Sequence, residues 1–408
     1  MRRILFAAAL LPLSVMVFAG YSGMPLEFMN AGMGARYGAL GNAASAAAYD
    51  ASAMYYNPAL LDNARENRIQ IGVKSLFDGA HFETASYVNP LGKTGAFGIN
   101  LGIVNYGEFE SVDENGVETG TSQMNDMFLG MGFGRQLFYG VKGGFTFKAA
   151  LRSIAGKQYT GFNMDAGLQK NIGGLDIGLS VINPLPLSVK YGESEEKFIT
   201  SVRAGIAYTF DEPSLMMAVD AEKRFIAGNP SINAGIEYKP LNGLYLRAGI
   251  AEALEKNAIT GGFGFENSGF ALDYSLEYGA SMFHSIGLSY GFNSYITAVT
   301  ADPPVFSPIG GTKKTYLRTT VRQKYDIYKW ELVIKNSKGD VMKKWEGPQA
   351  PDDSYVWDGL ADDGMPCAEG DYTAQLVVTD ENDSVFRSDI FVIKVSNTGE
   401  NLMPMGVE

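Results

Sequence analysis

The sequence predicts an all-β protein: a 14-stranded antiparallel transmembrane β-barrel with an N-terminal hatch, followed by a small β-sandwich. Three observations carry this. Residues 68–292 alternate apolar and polar side chains with a period of two, in fourteen segments. After the first 20 residues, no run is long and apolar enough to be a membrane helix. Glycine makes up 49 of 408 residues and aromatics 12%. That profile suits strands with one lipid face and one wet face better than a soluble enzyme.

The chain opens with a secretory signal over residues 1–19: Arg2-Arg3, an apolar core from Ile4, and a cleavage site after Val17-Phe18-Ala19. The core is too short for a spanning helix and is broken by Pro12. No cysteine follows the site, so a lipoprotein is excluded, and Arg2-Arg3 lacks the surroundings of a twin-Arg signal. A net charge of −12 argues against a nucleic-acid partner and against a polybasic membrane-surface protein. The single Cys367 excludes an internal disulfide. No cofactor is expected.

Residues 20–67 read as the hatch. Within them, 28–61 spell FMNAGMGARYGALGNAASAAAYDASAMYYNPALL, rich in Gly, Ala, Ser and Asn and poor in charge. Small side chains let backbone approach backbone, so the segment suits a confined space such as the interior of a closed sheet. Asn57-Pro58 also reads as a helix start, Asn as the cap and Pro at the first helical position. The stretch resembles the N-terminal hatch of FadL-like and PorV-like outer-membrane barrels. The resemblance rests on Gly32, Gly34, Gly38, Gly41, Asp50, Ala51, Ser52, Ala53, Tyr56, Asn57, Pro58 and Ala59. It assigns the hatch motif to Asp50, Tyr56, Asn57, Pro58 and Ala59. One departure is Gly41-Asn42-Ala43 where the family has Gly-Gly-Ala.

The strands follow near 68–77, 80–89, 95–105, 124–135, 139–153, 158–171, 174–182, 199–210, 214–224, 230–239, 243–252, 258–266, 268–279 and 282–292. An even count brings both ends out on one side, and fourteen is the number the FadL-like resemblance implies. Loop lengths agree. Connections after even strands are tight, as at Asn89-Pro90-Leu91-Gly92, Asn171-Ile172-Gly173-Gly174 and Asp211-Glu212-Pro213. The two longest, 106–123 and 183–197, follow strands three and seven. Short turns mark the periplasmic side and long loops the external one.

Parity places Lys142, Lys148, Arg152, Asp165, Asp176, Arg203, Asp220, Glu222, Glu237, Arg247, Asp273 and Glu277 in the lumen, among many glycines. Mixed signs suit neutralising networks around a plug rather than a single-sign ion filter. His81 and His284 have no spacing that suggests a metal site.

In the last strand, the run from Ser285 to Phe292 resembles the terminal signal read by the barrel insertion machinery, carried by Gly287, Tyr290 and Phe292. The same residues match G-x-S-x-G, but Ser289 lies on an alternating strand with no helix after it, so a nucleophile elbow is not expected.

Because this signal is internal, a further domain is expected: a linker over 293–314 and a β-rich unit over 315–408. Tyr355-Val356-Trp357-Asp358-Gly359, Asp362-Asp363-Gly364 and Glu369-Gly370-Asp371-Tyr372 resemble the Ig-like domain of the flagellar hook-capping protein family. Asp358, Asp362, Asp363 and Glu369 are weak Ca²⁺ candidates. Their spacing is that of turn residues, so no metal is the expectation.

The FadL-like resemblance implies passage of hydrophobic small molecules through a gated lumen. The PorV-like resemblance implies instead a non-enzymatic component of a protein secretion apparatus that docks exported proteins. A structural protein anchoring periplasmic partners to the membrane is a third reading. All three place the barrel in the outer membrane with its C-terminal domain periplasmic. The expected partners are outer-membrane lipid, the barrel insertion machinery, and either a hydrophobic ligand or secretion components. No catalytic constellation is present.

Overall fold

The computed structural model describes residues 31–76, 79–112, 117–154, 156–191, 194–210, 214–225, 230–253, 257–279, 281–293, 295–381 and 385–396. The expected signal peptide, the hatch residues before Ala31 and the Asp211-Glu212-Pro213 turn lie outside the described residues.

Seven strands come first: β1 (Asn67–Ser75), β2 (His81–Pro90), β3 (Ala96–Val112), β4 (Glu118–Phe138), β5 (Val141–Ile154), β6 (Lys157–Ile172) and β7 (Leu175–Ile182). A small hairpin, β8 (Ser188–Tyr191) and β9 (Ser194–Lys197), intervenes. Seven more follow: β10 (Ser201–Phe210), β11 (Leu215–Arg224), β12 (Ser231–Leu241), β13 (Leu244–Ala253), β14 (Ala258–Asn267), β15 (Phe270–Tyr278) and β16 (Met282–Phe292). Those fourteen form one closed antiparallel barrel in chain order, with β7 paired to β10. Closure is made by β1 against β16, from Asn67 opposite Phe292 to Lys74 opposite Ser285. None of these fourteen strands is left with an open edge.

The period of two sorts the side chains. Ile69, Ile71, Phe145, Phe147, Leu168, Leu179, Ile206, Ile236 and Leu288 point outward and are exposed, forming an apolar belt that calls for an apolar surround. Their neighbours in sequence point inward, including buried Gln70, Lys148, Asp165, Arg203, Asp220, Glu237 and Arg247. Aromatic pairs knit the outer face, with Phe147 stacked on Phe162 and Phe270 against Tyr290.

Two expected loops are more ordered than the sequence reading had them. Over 106–123 the ladder continues, with Val112 opposite Glu118 beyond a register break between Asn105 and Glu108. Pairing uses backbone groups, so the polar side chains there did not mark its end. Within 183–197 the chain forms the β8–β9 hairpin, from which Val189 is buried.

Past the barrel, the expected linker contains β17 (Ile296–Asp302) and β18 (Val305–Phe306). These belong to the C-terminal unit because Val299, Ala301 and Phe306 enter its core. That unit also holds β19 (Thr315–Arg322), β20 (Ile327–Lys335), β21 (Val341–Pro348), β22 (Ser354–Trp357), β23 (Gly370–Asp380), β24 (Val385–Arg387) and β25 (Phe391–Val395). One sheet is β17-β19-β22. The other runs β18-β25-β23-β20-β21, with β24 also on β23. The two share one apolar core centred on Trp357, which is fully buried and packs edge-on against Phe306 and Tyr372. Its indole N–H donates to the Leu360 carbonyl at 3.0 Å, so burial leaves no donor unpaired.

Candidate functional site

Inside the barrel lies the segment 31–64. It contains two short helices, α1 (Ala35–Ala39) and α2 (Ala53–Tyr56), and a 3₁₀ turn over Pro58–Asn63. The first helix packs against β13–β16, and the 3₁₀ turn against β2–β6. Tyr37, Leu40, Ala43, Ala44, Ala53 and Leu60 are among its fully buried side chains.

Many strands of the wall reach in to hold its backbone. From β11, the Asp220 carboxylate accepts the amide N–H groups of Ala44 and Ser45 at 3.0 and 2.8 Å. The β14 residue Thr260 donates to the Ala39 carbonyl, and Ser180 of β7 to that of Tyr56, both at 2.9 Å. Asn57 bonds both the segment and the wall. Its amide donates to the Ser45 carbonyl at 2.9 Å and to the Leu168 carbonyl of β6 at 3.0 Å, while its oxygen accepts the Ala59 N–H at 3.1 Å. So one side chain caps the 3₁₀ turn that Pro58 begins and also ties it to the wall. Tyr56 completes the internal wiring, its hydroxyl bonding Met33 and Asn42 at 3.0 Å. Asp50 accepts the Ser52 N–H at 2.8 Å, a local turn rather than a wall contact.

What admits this backbone is a set of inward glycines. A methyl group at Gly144 would fall on Pro58, at Gly167 on Asn57 Oδ1, at Gly178 on the Ser45 carbonyl, and at Gly235 on Leu40. These glycines lie on strands β5, β6, β7 and β12. The wall is therefore cut to the segment's outline. Parity reveals that these glycines face inward, but not what they face.

Every lumen charge the sequence reading singled out has a partner. Arg36 of α1 lies on Glu237 of β12, which Arg247 also approaches at 2.6 Å. Arg247 in turn reaches Asp273 at 2.6 Å. Lys148 pairs with Asp165 at 2.7 Å, Arg152 with Asp126 at 2.6 Å and Arg203 with Glu222 at 3.2 Å. Glu277 meets Lys74 at 2.9 Å, and Lys142 donates to Asn63 Oδ1. The sequence reading passed over Arg36, the one charge among residues 31–49. A lone cation in a neutral, confined stretch needs a buried counter-charge, and that was the available signal.

Above the segment, at the end of the barrel away from Asn67 and Phe292, an apolar cluster forms against it. Met33, Phe82, Val104, Phe128, Val189 and Phe198 pack into one buried cluster, with Val189 supplied by the β8–β9 hairpin. Between the cluster and the segment remains a cavity of about 20 Å³ lined by Met54, Tyr55, Phe128, Ile182, Lys148 and Arg203. That is room for roughly one water.

On β16, Tyr290 points outward and stacks on Phe292, their centroids 5.9 Å apart, while Gly287 faces Ala35 of α1. Ser289 lies mid-strand, where its hydroxyl accepts from Arg68 at 2.8 Å, so the G-x-S-x-G match forms no elbow. In the C-terminal unit, Asp358 and Asp363 accept the N–H groups of Leu360 and Met365 in local turns, and Asp362 pairs with Lys343 at 3.1 Å. Among the described residues, no group of three or more His, Cys, Asp or Glu side chains is placed to hold a metal ion.

A search of curated proteins finds no match. Among solved structures, the chain resembles the Ralstonia pickettii toluene transporter TbuX, at 17% identity and a TM-score of 0.50 over 64% of this chain and 99% of that one. A deletion mutant of the monoaromatic hydrocarbon channel TodX follows, at 16% identity and 0.49 over 64% and 99%. A Pseudomonas aeruginosa FadL homologue aligns at 10% identity and 0.41 over 61% and 96%. At such identities the TbuX likeness speaks to the fold alone, that of a closed β-barrel. The model of the Uncharacterised protein family (UPF0164) matches residues 25–287, more than half of the chain, which therefore belongs to that family.

Proposed function

We propose that the chain is an outer-membrane channel of the FadL type, conducting small hydrophobic molecules, with residues 31–64 as its hatch. The observation that carries this is the way the lumen is closed. Its obstruction is a segment outside the barrel ladder, held by side-chain hydrogen bonds and ion pairs such as Asn57 to Leu168 and Arg36 to Glu237. Bonds of that kind can be exchanged for water without breaking the wall. The apolar belt supports a membrane setting, and the closed strand architecture suits the outer membrane.

The toluene transporter TbuX supplies the ligand class by analogy: small, apolar, of aromatic size. Phe128 and Tyr55, which line the cavity, and Phe82 packed on Phe128 suit such a ligand. The C-terminal unit fits an Ig-like sandwich on the periplasmic side, where both barrel ends emerge. The PorV-like alternative draws on the same hatch motif, and no feature of the lumen favours it over conduction. No step of the mechanism calls for enzymatic chemistry.

The test is uptake. Cells expressing the full chain in an outer membrane stripped of other channels should take up labelled toluene several-fold faster than cells without it. Equal uptake, for toluene and for longer alkanes alike, would contradict the transport reading.

A further inference from the structure

At the end of the barrel where its ladder begins at Asn67 and ends at Phe292, the C-terminal unit touches the internal segment directly. Lys324 stands in the tight connection between β19 and β20. Its ammonium donates to Asp62 twice, to Oδ1 and, at 3.0 Å, to the main-chain carbonyl. Asp62 lies near the end of the 3₁₀ turn, where carbonyls run out of helical partners. Its side chain is fully buried and that of Lys324 is 8% exposed, so this is a desolvated pair, unlike ordinary surface ion pairs. Burial pushes the Lys324 ammonium down, and the Asp62 carboxylate opposes that shift. The neighbouring residue, Asn63, is taken from the other side by Lys142 of β5.

Other contacts at this end are of a different kind. Lys93 of the β2–β3 turn pairs with Asp326 and Glu381 at 2.7 Å, but its side chain is 49% exposed. Tyr295 donates its N–H to the Arg65 carbonyl at 2.6 Å, and Arg65 lies over the Phe386 ring. These contacts seat the unit on the rim. Lys324 alone among them reaches the 3₁₀ turn.

We infer that the C-terminal unit is a lock on the internal segment, with Lys324 as the bolt and Asp62 as its keeper. The inference rests on the hatch reading for its consequence, though not for its geometry. A partner that drew the unit off the rim would take the ammonium out of the 3₁₀ turn. Asp62 would then be left with Lys142 as its remaining nearby cation, and the turn would lose its anchor on the termini side. The state of a domain outside the membrane would thereby set how readily the lumen opens.

The experiment uses the full-length protein and two readouts, hydrogen exchange of residues 53–64 and planar-bilayer conductance. Lys324→Met and, from the opposite side, Asp62→Asn are compared with Lys93→Met. Heat-modifiable gel mobility confirms that each variant has a folded barrel. The lock predicts exchange in 53–64 faster by about tenfold or more in Lys324→Met and Asp62→Asn, and within about twofold of the parent in Lys93→Met. Unchanged exchange in both pair variants, or equal acceleration in Lys93→Met, would overturn it. Conductance separates the two readings. Faster exchange with higher conductance supports both the lock and the hatch. Faster exchange with unchanged conductance supports the lock and removes the hatch as the barrier.

Discussion

The Arg36 guanidinium grips both oxygens of the Glu237 carboxylate, Nε to Oε2 and Nη2 to Oε1, each at 2.8 Å. One residue belongs to the internal segment and the other to the wall, 201 positions away in the chain. A bidentate pair fixes orientation as well as distance, and here it pins α1 against β12. Tyr49 closes the other face of the guanidinium, its ring centroid 4.1 Å from Cζ. The segment is thus held by discrete side-chain contacts rather than by continuous pairing with the sheet.

Glu237→Gln should loosen the segment and spare the barrel. The substitution strands Arg36 without its counter-charge while Arg247 keeps Asp273. Losing one member of a buried pair costs about 3 kcal/mol or more. Hydrogen exchange across 35–48 should accelerate to match, with the melting of the folded barrel little changed. Protection identical to the parent would show that the pair does not hold the segment.

Gly178→Ala and Gly167→Ala should be felt through the internal segment, since each new methyl would fall on it. Overpacking of this kind costs about 1–3 kcal/mol. Gly261→Ala is the comparison, because the nearest atom to its methyl is the Arg247 carbonyl at 3.7 Å. That change should stay within about 0.5 kcal/mol. Thermal unfolding followed by gel mobility and exchange over 44–60 distinguishes the two classes. Equal effects at all three sites would mean the wall is not fitted to the segment.

Cys367 gives a handle on the C-terminal unit. It is 4% exposed, and burial pushes its thiol above the usual range. A raised value leaves less thiolate at neutral pH, so the thiol reagent DTNB should react slowly with the native protein at pH about 7. The rate should climb as pH rises through and beyond the ordinary thiol range, and jump on unfolding in urea. Labelling of the native protein at the rate of a free thiol near neutrality would contradict the packing described for the core.

Much of the barrel was legible because its signal is local. Period-two runs such as Val202 to Phe210 announce both a strand and the face it buries, and the structure pairs that run with β7 and β11. The two long connections were read less well. In 106–123 the backbone ladder persists under polar side chains, and in 183–197 the hairpin is short and its burial rests on Val189, with Phe198 just beyond it. For the lumen, parity supplied a list of charges but not their pairing. Glu237 stands opposite Arg247 in the ladder, a register that sequence can suggest. Its partnership with Arg36 depends on how the segment lies inside the barrel, and nothing local encodes that. The same holds for Lys324, whose meaning comes from a contact 262 residues away.

The central claim is that the internal segment is the barrier in an otherwise complete barrel. Removing residues 32–59 should leave the sheet able to close, since β1 and β16 pair without it. Planar-bilayer conductance of the shortened and full-length proteins, each checked for heat-modifiable mobility, tests this most directly. The account predicts a large, steady rise in single-channel conductance on removal. Equal conductance from two folded barrels would contradict it, and would place the segment as packing rather than as a gate.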